Sequence, residues 1–249
     1  SDDDEILLLF NETWDTGDTP TLRYTWTSVS DLSGRKLQNT ATLNSIDEAT
    51  PRVLEIEIFD NDNNWKLDKI EVNFSEILNT TSTVSGWNID NILSGMNINS
   101  LSITSNTINL WLVESDNFDT SSNNLSLDLS GSIYSDPSGN YTENFNNVSI
   151  DDKAEPIKLS TQTLDLDSNY KADTIRLTFS EDISWEILWE FNISNLSTGT
   201  AVASLWVSST QLDFTLNETT DDNDTDNSFT VEYTGSSLSD SSWNLASTL

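Results

Sequence analysis

Along most of this chain, apolar and polar positions alternate with a period of two. From Val53 to Phe59 the run is mostly apolar, with Glu55 and Glu57 facing the other way, and Leu67, Ile70, Val72 and Phe74 mark a second run. Such alternation sends successive side chains to opposite faces of a strand, one face to a core and one to water. Further runs fall near residues 86–93, 98–104, 106–113, 124–130 and 140–148, separated by Asp-Asn-Asp, Ser-Gly, Ser-Asn and Pro-Ser-Gly-Asn turn signals. Seven short strands in about 100 residues predict an all-β, Ig-like antiparallel β-sandwich, with a barrel as the alternative. One short helical turn is expected near 184–191, where Ile187, Leu188 and Phe191 cluster.

The pattern then repeats. Residues 59–76 read FDNDNNWKLDKIEVNFSE and residues 164–181 read LDLDSNYKADTIRLTFSE, at a constant offset (165 − 60 = 105). A period that long denotes an array of whole domains. A second signature places Asp31, Asp136 and Asp240 seven residues after Tyr24, Leu129 and Tyr233, and a third recurs at Glu12, Glu114 and Glu218. The chain therefore parses into residues 1–44, the C-terminal half of an Ig-like module; 45–149, a complete module; and 150–249, a second module. The joints Ser45–Pro51 and Ser149–Pro156 both carry acidic residues and a proline, which suits a short, stiff connection. A half module exposes an apolar face at Ile6, Leu8 and Phe10, so residues 1–44 are expected to contact another segment or a neighbouring chain.

Charge changes the picture most. With 42 acidic and 10 basic residues, the formal net charge is −32. Such a surface repels nucleic acid and anionic lipid, attracts cations, and opposes its own compaction unless it is neutralised. The absence of cysteine and histidine excludes disulfides, thiolate sites, the usual zinc chemistry and histidine-based catalysis. No apolar stretch reaches the roughly 20 residues that span a bilayer as a helix, so membrane insertion is not expected.

The D-x-D-x-N loops carry the candidate chemistry. Asp60, Asp62, Asn64 and Asp68, matched by Asp165, Asp167, Asn169 and Asp173, offer the alternating hard oxygens that calcium takes. The bland alternative is a solvated Asp/Asn turn. If modules stack end to end, Asp60, Asp62, Glu114 and Asp116 face the joint residues Asp151 and Asp152 and the next module's Glu181 and Asp240. The same logic sets Glu12 and Asp15 beside Asp47, Glu48, Glu76 and Asp136. Carboxylates massed in this way repel unless a cation bridges them, so Ca2+ at the joints is the expected cofactor. A glycosidase-like pairing through Glu76 or Glu181 is the catalytic alternative; recurrence of both in tandem favours a structural role.

Nine tryptophans invite a sugar-binding reading. Trp65 aligns with Tyr170 and Trp111 with Phe214, as core or joint positions do, whereas Trp185 and Trp189 lack aromatic counterparts and are candidates for exposure. Asn-x-Ser/Thr triplets, as at Asn11, Asn79, Asn147 and Asn217, permit glycosylation and indicate nothing more.

The stretch DSNYKADTIRLTFSEDI (167–183), followed by YTGSSLSDSSWNLAS (233–247), resembles the SwmB-type repeats of large bacterial cell-surface proteins. Tyr170, Asp173, Ile175, Phe179, Ser180 and Glu181 match the start of that repeat, and Asp136, Gly139 and Asn140 match its end. Asn63, Ser168 and the pair Ser242-Trp243 depart from it where glycine is usual. The resemblance implies an extracellular, repetitive, Ig-like structural or adhesive protein, with copies of itself or a surface glycan as partners and no catalytic residues.

Overall fold

The computed structural model describes residues 8–9, 16–25, 28–80, 83–122, 124–184, 188–196, 201–217 and 229–246. Ile6, Phe10, Glu12, Trp14, Asp15, Trp26, Trp185, Ile187 and Glu218 lie outside the described residues. β1 (Thr21–Leu22) and β2 (Leu43–Asn44) pair antiparallel near the N-terminus. The next strands are β3 (Val53–Phe59), β4 (Lys69–Phe74), β5 (Trp87–Asp90), β6 (Asn97–Thr104), β7 (Thr107–Val113), β8 (Ser126–Leu129), β9 (Phe145–Ser149) and β10 (Asp151–Asp152). After them come β11 (Lys158–Leu164), β12 (Thr174–Phe179), β13 (Ile183–Ser184), a 3-10 turn at Leu188–Glu190, β14 (Phe191–Ser194), β15 (Ala201–Ser208), β16 (Gln211–Asn217), β17 (Thr230–Tyr233) and β18 (Ser239–Asp240). All seven strands expected between residues 53 and 149 are present, and the 3-10 turn falls within the expected helical stretch.

Two sheets face each other in the first unit, in the orders β10-β3-β4-β7-β6 and β5-β8-β9. Ile56, Ile58, Ile70, Val72, Phe74, Ile108 and Leu110 from the larger sheet meet Trp87, Ile89, Leu127 and Leu129 from the smaller one in a single core. Full burial of each such side chain contributes about 1.5–3 kcal/mol. The second unit repeats the larger sheet as β11-β12-β16-β15, with β14-β17 and β13-β18 as separate pairs. Ile175, Leu177, Phe179, Leu212, Phe214 and Tyr233 fill a second core. The correspondence extends to irregularities: β6 shifts register between Ile98 and Ser100, and β15 between Val202 and Ser204.

The connection between the units leans on the first. Ile150 and Ala154 belong to the first core, and β10 pairs in parallel with β3 (Asp151↔Glu57, Asp152↔Ile58). At the earlier joint Ile46 stands 84% exposed, whereas Ile150 is 6% exposed.

The tryptophans depart from expectation. Trp87 is buried, and its Nε1 donates to the Tyr134 hydroxyl (2.7 Å), which in turn donates to the Thr83 carbonyl (2.7 Å). Trp65, Trp111 and Tyr170 are exposed. The Trp111–Phe214 alignment is off by one residue: in the ladders Leu110 faces Ile70 as Phe214 faces Ile175. A slip of one position moves a strand residue to the opposite face, so Trp111 sits on the outer face, beside the Lys69 ammonium. Trp189, a candidate for exposure, is exposed.

Candidate metal centre

The acidic residues form four compact groups among the described residues, of two kinds, each occurring twice. Within each group, one carboxylate oxygen per residue lies within 4.8 Å of the others. Asp47, Glu76 and Asp136 make one joint group, and Asp152, Glu181 and Asp240 make the other. Asp60, Asp62 and Asp68, and their counterparts Asp165, Asp167 and Asp173, make the loop groups. The loop acids and the joint acids thus fall into separate groups. Asp60 and Asp62 stay within their own loop, where Asn64 Nδ2 donates to Asp62 (3.0 Å) and to Glu114 (2.8 Å). Asp116 instead accepts from the Ser94 hydroxyl, and Glu48 is exposed. Asp151 is exposed while Asp152 is buried, because adjacent strand residues point to opposite sides.

Besides the linker acid, Asp47 or Asp152, each joint group draws on three further segments. The first is the loop between β8 and β9, where Asp136 accepts from Asn140 N (2.8 Å) and Asn140 Nδ2 (2.8 Å); Nδ2 also donates to the linker carbonyl of Asp47 (3.1 Å). Asp240 and Asn244 repeat this, with Asn244 Nδ2 reaching the carbonyl of Asp152 (3.1 Å). Gly139 (φ 94) takes a left-handed conformation here, and Trp243 (φ 70) holds the same region in the second copy. The second segment is the Ser-Glu pair after β4 or β12. Ser75 Oγ accepts from Arg52 N (3.0 Å) and Ser180 Oγ from Ile157 N (3.0 Å). The third lies earlier in the chain than the linker: the Thr16 hydroxyl meets Ser75 (2.6 Å), and the Thr120 hydroxyl meets Ser180 (2.6 Å) and donates to Glu181 Oε1 (2.5 Å). The threonines were not legible beforehand, since no charge or motif distinguishes them in so Thr-rich a chain; Asn140 stood in the ending motif, but its reach to the linker carbonyl was not legible.

The electrostatics are severe. Burial pushes Glu181 up to about 9, with the Asp152 and Asp240 charges adding to it against the Thr120 hydrogen bond. Burial also raises Glu76 and Asp152 above the usual carboxylate range. Burial acts on Asp136 in the same direction, but donors from Asn140, Gly139 and Ser138 outweigh it and bring that carboxyl below the usual value. The ion pairs Arg52–Glu143, Lys69–Glu71, Lys153–Glu57 and Arg176–Asp213 involve no residue of either joint group. Glu76 Oε1 is buried and meets no donor, on a residue 8% exposed. A buried acceptor without a donor is costly. An all-oxygen carboxylate set around it fits a hard divalent cation.

In the loop groups, Asp60 accepts from Asn64 N (3.1 Å) and Trp65 N (2.8 Å), and Asp165 accepts from Asn169 N (3.1 Å) and Tyr170 N (2.8 Å). Asn169 Nδ2 donates to Asp167 (3.0 Å). Burial raises Asp60 and Asp68. Asn64 Oδ1 and Asp173 Oδ1 are buried acceptors with no donor. The positions where glycine was missed, Asn63 (φ 57) and Ser168 (φ 63), are left-handed, as are Trp65 (φ 77) and Tyr170 (φ 73). A bulky residue there costs about 1–2 kcal/mol. Tyr170→Gly, at a site 72% exposed, is thus expected to leave stability unchanged or raise it by up to about 1 kcal/mol, measured by urea unfolding. A clear loss would show that the ring holds the loop.

Among the described residues no helix is long and apolar enough to cross a membrane. No family model matches this chain, and neither does any curated protein or solved structure.

Proposed function

We propose that this chain is an extracellular structural protein: tandem immunoglobulin-like modules, fixed in line by Ca2+ at their joints, forming part of a stalk, fibre or surface layer. One observation carries the reading. The same three carboxylates meet at two successive joints, each time beside a hydroxyl from earlier in the chain than the linker. A feature rebuilt at every joint suits a repeating mechanical element better than a single active site. The strand order supports the module assignment: β3-β4-β7-β6 opposite β5-β8-β9 is the A-B-E-D and C-F-G arrangement of immunoglobulin constant-type sandwiches. The resemblance to SwmB-type repeats and the net charge of −32 point the same way.

When bound, a cation at the joint supplies positive charge to groups that otherwise repel. The chain's residues do the rest. Asp47 or Asp152 brings the linker, Glu76 or Glu181 with Asp136 or Asp240 brings the following module, and the threonine brings the preceding one. Calcium suits the set better than magnesium because it accepts more oxygens in looser geometry. Copies of the chain or neighbouring modules are the expected partners. X-ray scattering of the full chain checks the reading: adding calcium to chelator-treated protein should lengthen the particle and raise its melting temperature. No change in either would defeat it.

A second reading, an adhesin or carbohydrate-binding module, is favoured by the exposure of Trp189, Trp206 and Trp243 (83%, 68% and 73%). Binding on a glycan array that disappears with Trp189→Ala or Trp206→Ala would establish it.

A further inference from the structure

Lys69 takes no part in either joint. It lies on the central strand β4, directly opposite Phe59 of β3 and Trp111 of β7. Its side chain is only 12% exposed, and its Nζ lies 4.5 Å from the centre of the Phe59 ring and 5.9 Å from that of Trp111. Glu71, two residues along and so on the same face, accepts from Nζ at 2.8 Å. Nζ also donates to the side-chain carboxamide of Asn61, at 3.3 Å to Oδ1. The backbone there is fixed in turn, because Asn61 N donates to the Asp68 carboxylate (3.1 Å). An amine, a carboxamide and a carboxylate therefore meet beside two aromatic rings.

The trio is not part of the repeat. Asp60, Asp62, Asn64, Lys66 and Asp68 recur in the second unit, but Leu166, Thr174 and Arg176 stand where Asn61, Lys69 and Glu71 would. Carboxamide, amine and acid change together, while Asp165 and Asp173 hold the second turn in the same way. The turn thus forms without the trio. A plain surface ion pair explains Lys69 and Glu71, but it needs no carboxamide against the amine.

We infer that Lys69 and Asn61 react with each other, joining their side chains by an amide bond across the turn between β3 and β4. Glu71 takes a proton from Nζ, and the freed amine attacks Asn61 Cγ. The Nζ–Cγ bond forms and the Cγ–Nδ2 bond breaks. Nδ2 leaves as ammonium, carrying the two protons that Nζ gives up through Glu71, which ends as the carboxylate it began as. No oxidant, metal or second substrate enters. The fold holds the reacting groups in contact, which makes the step intramolecular. The bond closes the loop that carries Asp60, Asp62 and Asp68, so the hairpin cannot unzip from that end. The inference does not depend on calcium, and it stands or falls separately from the function proposed above.

The test is the intact mass of the folded full chain. It should fall short of the sequence mass by one ammonia, and digestion should release a branched peptide in which Asn61 and Lys69 are joined. Lys69→Arg and Asn61→Ala should each abolish the loss; Asn61 is exposed, so the second variant serves if the first fails to fold. Glu71→Gln, which keeps the size but not the base, should slow the loss by at least about a hundredfold. Chain held unfolded in urea should keep its ammonia, because the contact exists only in the fold. A full mass after prolonged incubation of the folded chain overturns the inference. So does a loss that persists in Lys69→Arg, which would mark ring closure of Asn61 onto the Asp62 backbone nitrogen instead.

Discussion

In a chelating buffer, the protein should lose stability as the pH rises from about 5 to 9. The group responsible is Glu181, whose carboxyl sits at about 9 in the fold against 4.5 for the free side chain. Between those values the folded state holds a proton that the unfolded state has released, so stability falls with rising pH, by up to about 1.4 kcal/mol per unit. The contribution is fully present below 4.5 and gone above 9. Glu76 and Asp152, raised by burial, act in the same direction. Asp136 acts oppositely, its contribution being lost as the pH falls below the ordinary Asp value of 3.8. Calorimetric melting in chelator at several pH values reads the slope, and Glu181→Gln, which stays neutral throughout, should flatten it. Calcium present during refolding should also remove it, because a bound cation takes the proton's place. A melting temperature that climbs from pH 5 to 9 in chelator, or a slope untouched by Glu181→Gln, would contradict the assignment.

Phe214→Ala should melt one unit and spare the other. Phe214 is fully buried, stands across the ladder from Ile175, and meets Phe191 edge-on at 5.0 Å. Truncating a buried phenylalanine costs about 3–5 kcal/mol, a large share of a small domain's stability. The two cores share no residue, so calorimetry should register an early transition for the second unit while the first keeps its own. Leu110→Ala, at the equivalent ladder position, should do the reverse at a cost of about 2–5 kcal/mol. Both transitions shifting together under either change would mean that the joint fuses the units into one cooperative body.

What the sequence made legible was whatever depends on local spacing. The alternation in β3, β4 and β7 is written in Ile56-Glu57-Ile58, Ile70-Glu71-Val72 and Leu110-Trp111-Leu112, and the recurrence of FSE fixed which carboxylates play matching parts. Asn63 and Ser168 were also informative: where the resembled repeat carries glycine, both keep a left-handed backbone. What depends on lateral placement was not legible. That Asp152 turns inward while Asp151 faces water follows from the parallel pairing of β10 with β3, a contact between residues nearly a hundred positions apart. That the D-x-D-x-N loops keep to themselves follows from side-chain reach within a turn, which an end-to-end sketch does not resolve. Trp111 was misplaced because a one-residue alignment error is harmless in a loop and inverts a strand.

The pairing of β10 with β3 bears on how the chain answers tension. β3 enters the first unit from one joint and β10 leaves it toward the next, side by side and pointing the same way. Pulling the two joints apart therefore drags these strands past each other lengthwise. The backbone hydrogen bonds between them, including Lys153 N to the Ile58 carbonyl (3.0 Å), are then strained together in shear. A hairpin unzipped from one end surrenders its bonds in turn; this short clasp must yield all at once.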